Sequence, residues 1–167
     1  MIRINSKHVS ILVSLALLCC FLPSCSQNRY SDTLECRQIT SSLQQKILSD
    51  KEYSEYSQDD VAYILGDASL FDACSIIYST SGEDMGEVGV LHARPEVSAN
   101  TLLDRVNGYL QSSKEEKSAF VENYLPYEMQ KLDDASARVF GNYVIFTVLE
   151  KNTSEAVFDE IERQLSQ

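Results

Sequence analysis

The chain has 167 residues, of which 14 are basic and 25 acidic, and its net charge is −11 at neutral pH. This excess of negative charge repels phosphate backbones and argues against a nucleic-acid-binding protein. The length is sufficient for one domain with a sizeable core, since chains of this size bury roughly two-thirds of their unfolded surface.

The first 24 residues have the order of features found in a secretory signal. Two basic residues precede an apolar run over residues 9–21, and no acidic residue occurs before Cys25. This run is shorter than the roughly 20 residues that a transmembrane helix needs. Residues 22–25 (LPSC) resemble the lipobox of bacterial lipoproteins, in which the cysteine sulfur takes a diacylglycerol and the cysteine becomes the new N-terminus. We predict a signal peptide over residues 1–24 and lipid attachment at Cys25.

The lipid on Cys25 would hold the protein at the cell membrane, facing outside the cytoplasm. Two or three acyl chains anchor a protein stably, because each buried methylene contributes about 0.8 kcal/mol. Residues 25–32 are polar and are predicted to tether the lipid to a single domain over residues 33–167. Loss of the signal would leave 12 basic and 25 acidic residues, a net charge of −13. The alternative is a plain secretion signal in which Cys25 is an incidental small residue.

Two further thiols follow the predicted tether, Cys36 and Cys74. Outside the cytoplasm a bridge between them can form, and it would contribute about 4 kcal/mol by restricting the unfolded chain. Both positions also suit buried unpaired cysteines, because Cys36 lies on the apolar stripe of a predicted helix and Cys74 begins a predicted strand. The sequence leaves both interpretations open.

The first predicted element is a helix that begins at Asp32 or Thr33 and ends near Leu48, with apolar residues at steps of three and four. Residues 49–60 lack a clear period and are predicted to form an exposed connection. Residues 61–65 suit either a helical turn or a strand, because so short an apolar run has no distinctive period.

Two β-hairpins are predicted. Residues 73–79 and 87–93 are rich in strand-forming side chains and flank a polar, glycine-containing loop. Residues 135–140 and 143–149 flank Gly141-Asn142, a two-residue connection that favours a primed turn. The last of these strands is apolar on both faces, which predicts a central position in the sheet.

A helix is predicted after each hairpin. One begins near Pro95 and continues towards Pro126, either as a single helix or as two segments. Asn152 and Glu155 resemble a capping box that begins a final helix, whose last apolar residue is Leu165. The predicted order is α-β-β-α-β-β-α, an α+β fold in which helices pack on an antiparallel sheet of about four strands.

Two of these elements resemble a known family. The strand over residues 87–91 (EVGVL), followed by a long charged helix, and the run over residues 141–146 (GNYVIF), before a terminal helix, are similar to small lipoproteins of Gram-positive bacteria that contain domain of unknown function four-three-five-eight. The resemblance extends from Cys74 to Leu165 and includes the lipobox. It implies an exported, membrane-tethered domain with no established activity. Cys74 departs from the family pattern, in which a larger strand residue is expected.

Reactive side chains are few after the predicted signal. His92 is the only histidine of this part, which excludes His-pair zinc motifs, and it suits an ordinary half-buried strand residue. A pair with Cys36, Cys74 or a carboxylate is the remaining route to an enzyme. No serine lies in a nucleophile motif. We therefore predict no enzymatic activity, no cofactor and no metal site.

Nine tyrosines and no tryptophan are the last distinctive feature. If they converge, the tyrosines around residues 53–56 and Pro126 would form a contact surface for a protein or glycan, because tyrosine buries area at low entropic cost. The residues of this predicted binding surface are Tyr53, Tyr56, Tyr124, Tyr127, His92 and Arg94. The first hypothesis is a non-enzymatic module that binds an envelope protein. The alternative is a small-solute-binding lipoprotein with a tyrosine-lined pocket.

Overall fold

A computed structural model describes residues 29–166, which form a five-stranded antiparallel sheet with helices on both faces. The predicted α+β class is confirmed, with one strand more than expected. The predicted signal (residues 1–24), the predicted lipid site Cys25 and the first half of the predicted tether (residues 25–28) lie outside the described residues.

The elements are joined by short connections, two of which contain 3₁₀ turns at Ala68–Leu70 and Pro126–Glu128. The helices are α1 (Cys36–Lys46), α2 (Gln58–Leu65), α3 (Ala99–Tyr124), α4 (Met129–Asp134) and α5 (Lys151–Leu165). The strands are β1 (Tyr53–Glu55), β2 (Phe71–Ser79), β3 (Glu87–Ala93), β4 (Ser136–Phe140) and β5 (Tyr143–Val148). Their order across the sheet is β1-β2-β3-β5-β4, so β3 is the middle strand.

The additional strand, β1, lies in the region predicted to be an exposed connection. Tyr53 of β1 pairs with Ser79 of β2, and Glu55 pairs with Ile77. An edge strand of three residues is too short for its alternation to be detected in the sequence. The predicted order is therefore wrong between the first helix and the first hairpin, where β1 and α2 are inserted. The short helix α4, before the second hairpin, was also not predicted.

Helix α2 resolves the ambiguous residues 61–65. Ser57 and Asp60 form a capping box at its start, with the Ser57 hydroxyl accepting from the Asp60 N–H. Gly66 ends the helix in the left-handed conformation, with a φ of 68° that glycine adopts without steric cost. Local capping thus decides what the apolar pattern left open.

The starts of α1 and α3 are later than predicted. α1 begins at Cys36, and the residue before it, Glu35, makes no side-chain cap. α3 is a single helix of 26 residues that begins after Ser98, whose hydroxyl accepts the Asn100 N–H. Pro95 lies in the turn before this helix rather than in its first turn.

The N-terminus of α5 is capped by a different residue from the one that the sequence predicts. The helix begins at Lys151, so Asn152 and Glu155 do not form the predicted capping box. The Lys151 N–H instead donates to Asp134 Oδ2 at 3.2 Å, from the end of α4. A carboxylate near a helix N-terminus is stabilised by the helix dipole, and here it comes from another helix.

The second hairpin is as predicted. β4 pairs with β5 around Gly141, which has a φ of 62°, and all six residues of β5 are buried. β5 lies between β3 and β4, so its apolar character on both faces reflects a position covered by helices on each side.

Two hydrophobic cores lie on opposite faces of the sheet. α1 and α5 form the first core with sheet residues such as Val88 and Ile145, and α2, α3 and α4 form the second core with residues such as Leu91 and Phe146. Gly89 lies against the Phe146 ring in the second core, where a Cβ would overlap the ring. The glycine of the EVGVL motif is thus explained by packing.

Candidate functional site

His92 lies near the end of β3 and faces the first core. Each of its two ring nitrogens lies within hydrogen-bond distance of a carboxylate. Nδ1 is 2.7 Å from Asp72 Oδ1, and Nε2 is 2.8 Å from Asp32 Oδ1. Asn142 also donates to Asp32, at 2.9 Å, and the Tyr143 ring lies edge-on to the imidazole at 4.8 Å. We call these five residues the His92 cluster.

The charge state of His92 follows from this geometry. Burial lowers the pKa of His92, but the hydrogen bonds and negative charges of Asp72 and Asp32 outweigh it and raise the pKa above 6.5. The pKa of Asp32 is correspondingly lowered, since its hydrogen bonds from His92 and Asn142 outweigh burial. When the ring is doubly protonated, it donates to both carboxylates.

The His92 cluster contains a carboxylate that could orient the imidazole for catalysis, but it leaves no ring nitrogen open to a substrate. A general base must present a free ring nitrogen to substrate, and Asp32 covers the one that Asp72 leaves. Cys74 packs towards the second core, on the other face of the sheet from His92. Cys36 lies near the His92 backbone, but burial raises the pKa of its thiol to about 12.

The residues that precede α1 lie across the His92 cluster; we call residues 29–34 the N-terminal strap. The Ser31 N–H donates to the Leu165 carbonyl at 2.6 Å, and Arg29 pairs with Glu162 at 2.6 Å. The Tyr143 hydroxyl donates to the Leu34 carbonyl at 2.7 Å. The last four residues of the predicted tether, 29–32, are therefore packed on the domain.

The two cysteines of the described residues are free thiols. Cys36 is buried in the first core, whereas Cys74 packs against the second core and donates weakly to Gln58. Side chains on opposite faces of a sheet cannot reach one another for a disulfide. The bridge that the sequence left open is not present, and burial raises the pKa of both thiols.

The predicted binding surface is not assembled as one patch. Tyr53 packs against the first core, and Tyr56 packs against the second core, stacked on Tyr78 at 4.3 Å. Tyr124 and Tyr127 are exposed, at 71% and 62%, near the end of α3. His92 belongs to its own cluster.

Arg94 is likewise separate from the tyrosines. Its backbone N–H donates to the Leu70 carbonyl, and its Nε is buried without a hydrogen-bond partner among the described residues.

A cleft between α2 and α3 brings together a different set of side chains. Its volume is about 420 Å³, within the range of small-molecule sites. We call it the α2–α3 cleft, lined by Tyr56, Tyr63, Ile64, Arg105, Gly108, Tyr109, Ser112, Ser113, Glu116 and Lys117. Only Tyr56 of these belongs to the predicted surface. The others were missed because Tyr63 and Ile64 belong to a segment whose structure the sequence left open, and because the pattern of α3 predicted a helix without showing which residues of it would face α2.

A buried acid lies beneath the cleft. Glu87, at the start of β3, is 3% exposed, and the Tyr109 hydroxyl lies 2.8 and 2.9 Å from its two carboxyl oxygens. Burial raises the pKa of Glu87, and burial together with the Glu87 charge raises the pKa of Tyr109. Tyr109 thus separates the carboxyl group from the cleft.

Two residues of the cleft wall leave room for further contacts, one for a hydrogen bond and one for a side chain. The Ser113 hydroxyl is buried next to the Tyr109 side chain and makes no hydrogen bond of good geometry within residues 29–166. Gly108 interrupts the middle of α3, and a Cβ there would meet nothing within 4 Å. An interior helix glycine costs about 1 kcal/mol relative to alanine, so this open position is kept at some expense in stability.

A second charged group is fully paired and structural. Lys131 is 3% exposed, and its Nζ lies 2.7 Å from both Asp84 Oδ1 and Glu128 Oε2. Lys51 also pairs with Asp84, at 2.8 Å. The network joins the β2–β3 loop to α4, so Asp84 is a structural anchor of this loop.

Within residues 29–166, no group of three or more His, Cys, Asp or Glu side chains is placed to hold a metal ion. In the same part of the chain, no helix combines the length and the apolar character needed to cross a bilayer. Comparisons with protein-family models, with curated proteins and with solved structures found no match to this chain. The family resemblance therefore remains an expectation from the two short motifs.

Proposed function

We propose that the protein is a lipid-anchored extracytoplasmic protein whose domain binds a small solute in the α2–α3 cleft. The cleft is the observation that carries the proposal, because it combines aromatic walls, a buried hydroxyl without a hydrogen-bond partner and a suitable volume. It favours the solute-binding alternative over the protein-binding module, since the tyrosines expected to form one contact surface are spread over both faces of the sheet.

The anchoring part of the proposal rests on the lipobox-like sequence and on the position of the strap. Arg29 follows Cys25 by four residues, a span of about 14 Å at most for an extended chain. An acylated Cys25 would hold the end of α5, where Ser31 and Arg29 bind, close to the membrane surface. The cleft lies on the opposite face of the sheet from α5.

Membrane attachment is tested with Cys25→Ala in the native host. We expect the wild-type protein in the membrane fraction, carrying radiolabelled fatty acid, and the variant released without label. Cys36→Ala is the matched control, because it removes a buried thiol and keeps Cys25. Label on the Cys25→Ala protein would contradict the proposed attachment site.

Solute binding is tested by filling the cleft. Gly108→Leu adds a side chain where nothing lies within 4 Å, and Asn107→Leu adds the same side chain at an adjacent exposed residue outside the lining. The mature proteins are purified from native membranes and their bound small molecules are identified by native mass spectrometry. We expect a solute on the wild type and on Asn107→Leu, and none on Gly108→Leu. Equal occupancy of all three would count against the cleft.

The protein-binding alternative keeps one observation in its favour. Phe120 and Tyr124 are both more than half exposed and contact one another, with ring centroids 5.1 Å apart. Tyr127 is exposed just beyond them. Crosslinking in the native host should capture the same neighbours for the wild type and for Tyr124→Ser, if this aromatic group is only a surface feature.

A further inference from the structure

The basic residues of residues 29–166 divide into those that form a salt bridge and those that form none. Acidic residues outnumber basic ones almost two to one, and eight of the twelve Lys and Arg residues in 29–166 form salt bridges. The four without one are Arg94, Arg105, Lys117 and Lys151. Two of these four line the α2–α3 cleft, where Glu116 is the one acidic residue of the lining.

The two cations lie at opposite ends of the cleft. Arg105 and Lys117 are twelve residues apart on α3, which corresponds to about 18 Å of helix rise. The Arg105 Nε donates to the Leu65 carbonyl at the end of α2, which fixes the guanidinium group beside Gly66; its charge acts on the nearby Asp67 carboxylate, but it forms no salt bridge with a described residue. Lys117 lies on the side of the buried Glu87: burial raises the pKa of Glu87, and the Lys117 charge acts in the opposite direction.

The walls between the two cations are aromatic and contain an unsatisfied hydroxyl. Tyr56, Tyr63 and Tyr109 present rings to the cleft, and Tyr63 is 89% exposed at its mouth. The buried Ser113 hydroxyl lacks a well-placed partner among the described residues, so a ligand or water that bonds to it would offset its desolvation. The Glu87 carboxyl group is covered by the Tyr109 hydroxyl, so the cleft does not present a buried anion to a cationic ligand.

We propose that the α2–α3 cleft binds an elongated organic anion, with a flat ring against the tyrosines and a carboxylate or phosphate group bound by Arg105 or Lys117. This inference rests on the proposed solute-binding function and adds the chemical class of the ligand. Arginine matches the planar geometry of carboxylate and phosphate groups, and the tyrosine faces suit an aromatic or similarly flat body. Ser113 donates to the polar group of the ligand nearest the centre of the cleft.

The test uses three probes with the same ring and different charge: benzoate, benzyl alcohol and benzylamine. The full mature protein is titrated with each, and dissociation constants are measured from NMR shifts of cleft amides such as Gly108. We expect benzoate to bind about three- to fivefold more tightly than benzyl alcohol, as for an exposed ion pair, and benzylamine to bind most weakly. Arg105→Gln combined with Lys117→Gln should abolish the preference for benzoate.

Lys151→Gln combined with Arg37→Gln is the matched control for net charge, because this double variant also removes two positive charges, and both residues are exposed and lie outside the cleft. It should keep the preference for benzoate. Tightest binding of benzylamine, or equal binding of all three probes, would overturn the anion inference and leave solute binding intact. Absence of any shift at the cleft would overturn the inference, and an empty wild-type protein in native mass spectrometry would separately overturn the proposed function.

Discussion

The two ends of β3 carry ionisable side chains that are built into the fold in opposite ways. Near one end, His92 faces the first core with both ring nitrogens bound by carboxylates. At the other, Glu87 faces the second core, and Tyr109 is its hydrogen-bond donor beneath the open α2–α3 cleft. A site whose polar groups are already paired holds the structure together, whereas a site with unpaired groups has capacity left for a ligand.

The largest expected effect comes from the residue between the two ends. Gly89→Ala should lower the free energy of unfolding by about 3 kcal/mol, because a Cβ there overlaps the Phe146 ring. Since Phe146 contacts Tyr109 edge-on at 5.6 Å, amide shifts should change more at the cleft than at His92. Chemical denaturation and NMR measure both effects. Gly82→Ala is the control, since its Cβ would meet nothing within 4 Å, and equal losses would contradict the packing account.

At the His92 end of β3, the variant His92→Gln removes the imidazole charge that interacts with Asp32 and Asp72. We expect a loss of about 1–2 kcal/mol in the free energy of unfolding near pH 6, as for charge-assisted hydrogen bonds. Asp59→Asn, at an exposed residue of α2, should change stability much less.

The same end predicts a pH dependence. Because the folded-state pKa of His92 is raised above 6.5, its contribution is complete below pH 6.5 and is lost as pH rises through the folded pKa. Denaturation series from pH 5 to 9 should show this fall in the wild type and not in His92→Gln. Parallel curves for the two proteins would refute the charged bridge.

At the Glu87 end of β3, removing the charge is expected to increase the stability of the fold. Because burial raises the folded-state pKa of Glu87, the stability that its neutral carboxyl group allows is fully present below pH 4.5, falls as pH rises from 4.5 through the folded pKa, and is lowest above that pKa. Glu87→Gln keeps a hydrogen-bond acceptor for Tyr109 and removes the charge, so it should raise the free energy of unfolding at pH 7 by about 1 kcal/mol. Glu116→Gln, at the exposed rim of the cleft, is the control. A loss of stability would mean that the ionised carboxylate is well solvated.

The smallest expected change in stability tests whether the space beside Gly108 in the cleft is open. Gly108→Ala should raise the free energy of unfolding by about 0.5–1 kcal/mol, because alanine restricts the unfolded chain and its methyl group enters open space. Thermal unfolding measures the gain. A decrease in stability would mean that the space beside Gly108 is occupied in the folded protein.

Much of the fold could be predicted from local pattern. The strands over residues 87–93 and 143–148 were found because their side chains are strand formers, and the turn at Gly141 because it needs a positive φ. β1 and α4 were missed, since elements of three and six residues carry too little periodicity to be detected. The disulfide question was decided by which face of the sheet each cysteine occupies.

The candidate sites were less predictable. His92 was identified as the only candidate imidazole, but Asp72 is 20 residues and Asp32 is 60 residues away in the chain. For the cleft, the one available signal was Gly108 within a long helix, together with Arg105 and Lys117 on the same helix. Sequence spacing gave no indication that Tyr56 and Tyr63 would face them.

The sequence by itself determined the α+β class, the two hairpins and the interior position of β5 between two other strands, because periodicity and turn chemistry are local properties of the chain. Only the tertiary structure decided that both ring nitrogens of His92 are hydrogen-bonded, by Asp32 and Asp72. It also decided that Arg105, Lys117 and Ser113 face an open cleft. Which polar groups find partners depends on contacts between distant segments, and no local pattern encodes them.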